Sequence, residues 1–70
     1  MPLTMIGAGT QGVIQKITGK EETRKFLESL GFVAGSAVTI VTEIGGNVIV
    51  NVKDSRVAIG RDMANKIMVV

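Results

Sequence analysis

One stretch of this chain can form a helix of more than a single turn, and the way it stops constrains what surrounds it. In Arg24-Lys25-Phe26-Leu27-Glu28-Ser29-Leu30-Gly31-Phe32-Val33-Ala34-Gly35, the residues Phe26, Leu27 and Leu30 join Thr23 at helical spacing. That spacing predicts one buried face. Gly31 stands where helices commonly end in a left-handed residue, a conformation that glycine reaches without steric cost. With Gly31 just past the helix, Phe32 comes back against Leu27, the apolar contact of a Schellman ending. Leu27, Leu30, Gly31 and Gly35 are therefore read as structural, one local cluster that ends the helix and starts the next strand.

Upstream, Thr18-Gly19-Lys20-Glu21 fits a capping box, a hydroxyl followed three residues later by a glutamate. Glu21 and Glu22 suit the positive end of the helix dipole, and Glu21 and Lys25 form a favourable i,i+4 pair. The helix is predicted over Lys20 to Leu30. At about three turns it is too short to be stable alone, so Phe26, Leu27 and Leu30 must hold it by packing.

The rest of the chain reads as short strands. Met1 to Ile6 is an N-terminal tie. Gly7-Ala8-Gly9-Thr10-Gln11-Gly12 matches the dinucleotide fingerprint G-x-G-x-x-G letter for letter, but a phosphate-binding loop must open a helix. The next residues are Val13-Ile14-Gln15-Lys16-Ile17-Thr18, where Val13 and Ile17 alternate around Gln15 as in a strand, so the loop reads as a turn. Val38, Ile40 and Thr42 alternate with Thr39, Val41 and Glu43, then Gly45-Gly46 signals a tight turn. Val48, Val50 and Val52 give the next strand a buried face, Asp54-Ser55 suits a turn, and Arg56 to Ile59 is another strand. Gly60 to Asn65 reads as a helical turn with Met63 and Ala64 inward, and Ile67 to Val70 closes the chain as a last strand. The fold class expected is mainly β: a small barrel of about five strands with one helix after the first.

Seventy residues allow one domain, 1–70, with a small core. Cysteine and histidine are both absent, which removes thiolate and imidazole from any metal site. Glu43, Asp54 and Asp62 alone would make a weak, hydrated site, so neither metal nor cofactor is expected. Ser29, Ser36 and Ser55 have no histidine to activate them, and the chain is expected not to be an enzyme. A net charge of +2 with acidic and basic residues interspersed argues against a nucleic-acid partner. Without Tyr or Trp there is no aromatic-lined groove for proline-rich peptides and no platform for stacking bases. No apolar run approaches the roughly 18 residues of a membrane span, and the N-terminus lacks a signal-peptide pattern. A cytoplasmic protein is expected, touching a membrane only through a partner.

Arg24 to Gly35 ending in Leu30-Gly31-Phe32-x-x-Gly35, then Val38-x-Ile40, a hairpin, Val57-Ala58-Ile59 and Ala64-x-x-Ile67-x-Val69, resembles the ferrous iron transport protein A (FeoA) family over nearly the whole chain. Two departures stand out: Ala34 where the family usually has proline, and Ile44-Gly45-Gly46-Asn47 where the hairpin often carries one. The resemblance implies an SH3-like barrel and an accessory role in ferrous iron uptake. It implies binding to the cytoplasmic region of a FeoB-type membrane GTPase and permease, modulating its assembly or activity. The alternative it implies is a regulatory module of a DtxR-type iron-dependent repressor system. The contact surface expected is Phe32 and Val33, with Arg24, Lys25, Arg56 and Arg61 as polar surroundings. Self-association is also open, through an edge between Met1–Ile6 and the last strand.

Overall fold

The computed structural model describes all residues, 1–70. A 3-10 turn at Leu3–Met5 is followed by β1 (Gln11–Ile17), α1 (Glu21–Ser29), β2 (Ala37–Ile44), β3 (Asn47–Val52), β4 (Ser55–Gly60), α2 (Arg61–Ala64) and β5 (Ile67–Val69). The strands form one antiparallel sheet in the order β4-β3-β2-β1-β5, curved around thirteen buried apolar residues, with the single long helix inserted after the first strand as expected.

Two tight turns set the register of the central strands. Gly45 and Gly46 both have positive φ, the two-residue turn that matches strand twist, and they pair Ile44 with Asn47. The second turn is Lys53-Asp54, at φ 47° and 63°, one residue earlier than Asp54-Ser55. Val52 must pair with Ser55 for Val50 and Val57 to meet on the inner face, and that alignment forces Lys53 into the left-handed region.

A bulge reverses the reading of β1. Val13 is 42% exposed, whereas Ile14 is 2% exposed and points inward. The pairing with β5 slips between Ile14 and Lys16, so Gln15 is the extra residue and the parity of the strand changes across it. Ile17 then faces the core, and the spacing from Val13 to Ile17 that suggested one face in fact joins two. A second bulge between Ile40 and Thr42 ends the buried face of β2 at Ile40. Gly12, the last glycine of the G-x-G-x-x-G run, lies under Val69: a Cβ there would come 3.2 Å from the Val69 Cβ. The glycine serves close packing of β1 on β5.

The helix stop forms as expected. Gly31 has φ +107°, its N–H donates to Glu28 O at 3.0 Å, and the Phe32 N–H donates to Leu27 O at 3.1 Å. Those two bonds are the Schellman pair, and Leu27 and Phe32 are both fully buried. Gly35 then donates its N–H to Ile14 O at 2.8 Å, which ties the exit loop to β1.

Two expectations about the helix are corrected. Phe26 is 49% exposed, and Leu27 is the only wholly buried residue of α1, so the last turn and the stop hold the helix, not a full apolar face. The capping box does not form either. The cap residue is Lys20, which has no side-chain cap bond, while Thr18 still belongs to the barrel and gives both its N–H and its hydroxyl to Lys66 O. Lys20→Ser is therefore expected to raise the melting temperature by about 4–8 °C, because a serine cap contributes about 1 kcal/mol. Thermal denaturation followed by circular dichroism checks it.

At the N-terminus Leu3 is fully buried, and Met1 exchanges backbone hydrogen bonds with Val69 (2.7 and 2.8 Å). With the Pro2–Met68 bridge, this segment covers the outer edge of β5. The edge expected to pair between copies is thus paired within the chain.

Candidate docking surface

The loop from Gly31 to Ser36 is pinned at both ends, by the Schellman bonds and by backbone bonds to Ile14 from Gly35 and to Ser36. It separates two surface depressions. On one side lies a crevice of about 200 Å³ lined by Gln15, Lys16, Arg24, Glu28 and Ala34. The β1 bulge helps to shape it, since Gln15 is the unpaired residue. On the other side an open polar groove of about 790 Å³ runs past Gln11, Ser36, Thr39, Asn51, Lys53 and Arg56. Across the β3–β4 ladder Asn51 stands opposite Arg56, and the Arg56 Nε donates to Asn51 Oδ1 at 3.2 Å, which orients the guanidinium. Lys53 reaches back to the helix stop, 3.7 Å from where a Cβ on Gly31 would lie.

Three of the expected residues gather around this loop. Val33 is partly exposed on it, Arg24 lines the crevice that Ala34 borders, and Arg56 lines the groove that Ser36 borders. Phe32 does not belong to the surface. It is fully buried as the largest residue of the core, lies beneath the crevice and offers a partner no exposed face. Lys25 lies on the outer side of α1, with its ammonium 3.4 Å from Glu21. Arg61 sits beyond the far end of β4 from Arg56, a strand of about 17–20 Å, and is ion-paired with Glu43. It is not part of the same surface.

Sequence reasoning missed Lys16, Lys53, Asn51, Gln11 and Ser36. Asn51 and Lys53 become visible once the turn is placed at Lys53-Asp54, because that register puts Asn51 beside Arg56. Gln11 and Ser36 carry no local signal and meet the groove only through the pairing of β1 with β2. The surface is mixed in charge, with Lys16, Arg24, Lys53 and Arg56 against Glu28 and Asp54. No three Asp or Glu side chains gather closely enough to hold a metal ion. No helix is long and apolar enough to cross a membrane.

Comparison with known proteins gives consistent results. A family model described as the FeoA domain matches residues 1–70. A protein of Methanocaldococcus jannaschii named for Fe(2+) transport, as transport protein A, is 35% identical over 68 residues, covering 97% of this chain and 83% of that one. Among solved structures, the iron uptake regulatory protein FeoA superposes with a TM-score of 0.90 at 32% identity, covering 99% of this chain and 92% of that chain. FeoA of Stenotrophomonas maltophilia, crystallised with zinc and described as a prokaryotic SH3 domain protein, superposes at 0.86 with 26% identity, covering 100% of this chain and 89% of that one.

Proposed function

This chain belongs to the FeoA domain family, and on that premise we propose that it docks on the cytoplasmic region of a FeoB-type ferrous iron permease and modulates its assembly or activity. The protein works from the cytoplasmic side as a binding module and turns over no substrate itself. The observation that supports the reading is the helix-stop loop, whose Ala34 borders the crevice lined by Arg24, whose Ser36 borders the groove lined by Arg56, and which carries the partly exposed Val33. Interfaces favour a small apolar centre with a polar rim in which arginine is enriched. The fixed backbone of the loop adds to this, since a pinned surface loses little conformational freedom on binding.

Titration calorimetry with the permease's isolated cytoplasmic GTPase domain, with and without guanine nucleotide, tests the proposal. The native chain is expected to bind in the micromolar range. Val33→Ala, Arg24→Glu and Arg56→Glu should each weaken binding about tenfold, while Arg61→Glu leaves it within about twofold. Each variant is first shown to melt within a few degrees of the native chain. Failure of the folded native chain to bind at any nucleotide state overturns the reading.

A further inference from the structure

The two edges of the sheet are treated differently. The β5 edge is covered by Met1 and Pro2, but no segment pairs with the outer side of β4. The register shows which backbone groups are left there. Val52 and Ser55 flank the two-residue turn and form its closing hydrogen-bonded pair, so the bonds to β3 fall on Ser55, Val57 and Ile59. The same alternation ends in the Arg61 N–H bond to Gly46 O at 3.0 Å. Arg56 and Ala58 therefore turn their N–H and C=O groups outward, and Gly60 turns out its N–H. The strand has no proline and no bulge, two devices by which sheet edges are commonly blunted.

The charges on this edge select the occupant. Arg56 stands near its start and hydrogen-bonds only the neutral Asn51, while Asp62 follows its end and has no cationic partner. Arg61 beside it is already paired with Glu43, and Lys66, which lines the same depression, makes no ion pair with Asp62. The edge is thus flanked by an unpaired cation, Arg56, and an unpaired anion, Asp62, a pattern that repels part of any uniformly acidic or basic strand. It complements itself when the same strand is laid alongside antiparallel.

We propose that two copies of this chain pair antiparallel through the outer edges of their β4 strands, about a two-fold axis at Ala58. The N–H and C=O groups of Ala58 then bond those of its counterpart, and Arg56 of one copy lies opposite Gly60 of the other. The space above Gly60 is open, with no atom within 4 Å of where a Cβ would be, so the arginine can cross it toward the second copy's Asp62. Val57, only partly buried in the single chain, packs beside the second copy's Ile59. Arg56 also belongs to the proposed docking surface, but the pairing does not need the permease and is read out on the protein alone.

Sedimentation velocity over a concentration series tests it, together with amide exchange by NMR. A strand-edge contact of this length is small by the standards of stable dimers, so dissociation constants of about 0.1–1 mM are expected. Exchange at the Arg56 and Ala58 amides should slow as concentration rises. Ala58→Pro removes an N–H that the β3–β4 ladder does not use, and should leave the chain folded but monomeric throughout. Asp62→Arg should weaken pairing about fivefold, and the reversal Arg56→Asp with Asp62→Arg should restore it. A native chain that stays monomeric at about 1 mM overturns the proposal. So does a dimer unaffected by the charge substitution, whether or not the proline variant folds.

Discussion

Phe32→Ala is expected to lower the melting temperature by at least about 12 °C, and to leave little folded protein at 37 °C. Truncating a fully buried phenylalanine costs about 3–5 kcal/mol, through lost apolar transfer and the cavity left behind. A domain of this length has only about 4–10 kcal/mol of total stability, and each kcal/mol is worth about 4–8 °C. Phe32 also closes the helix stop against Leu27, so the cavity opens where α1 is attached. Thermal and urea denaturation measure the effect. A melting temperature within about 5 °C of the native value would show that the residue is not the keystone its burial implies. The neighbouring Val33→Ala, on a partly exposed side chain, should cost no more than about 1 kcal/mol, and that contrast separates the core residue from the surface one.

The second large effect is expected at Gly31→Val, for a different reason. A Cβ on Gly31 would meet nothing closer than 3.7 Å, on Lys53 and Val52, which is ordinary contact distance. The cost comes from the backbone, held at φ +107°, where a β-branched side chain is most strongly resisted. Strain of about 1–3 kcal/mol is typical, with valine at the upper end. The expected fall in melting temperature is about 10–20 °C for Gly31→Val and clearly less for Gly31→Ala. Equal melting temperatures for glycine and alanine would mean that the Schellman geometry is not what holds the turn.

Local features were readable because their causes are local. The helix stop needs only a glycine at the end of a helical run and an apolar residue on each side of it, and Leu27, Gly31 and Phe32 supply these within a few positions. Gly45-Gly46 and the alternation of Val48, Val50 and Val52 are equally self-contained, and they led to the observed hairpin. The errors all arose where a partner elsewhere in the chain decides. Local alternation places Val13 inward, whereas the bulge at Gln15 that reverses it exists only in the pairing of β1 with β5. Thr18 looked like a cap because Lys66, its actual partner, is distant in sequence. Phe26 matched the helical stripe but is half exposed, since α1 docks by its last turn.

The candidate surface shows the same division. Arg24, Val33 and Arg56 were identified as separate residues, while their arrangement around one loop depends on the pairing of β1 with β2 and β3 with β4. Local sequence is enough to establish that a short helix ends at Gly31, that most of the rest is short strands, and that no thiolate or imidazole chemistry is available. Strand pairing and core closure settle that Phe32 is core and Val33 partly exposed, that Arg61 is held by Glu43, and that β4 keeps a free edge while β5 does not. Turns and helix ends are fixed by interactions within a few residues. Facing and edge exposure depend on which strands meet, and that is settled when the whole sheet closes around its core.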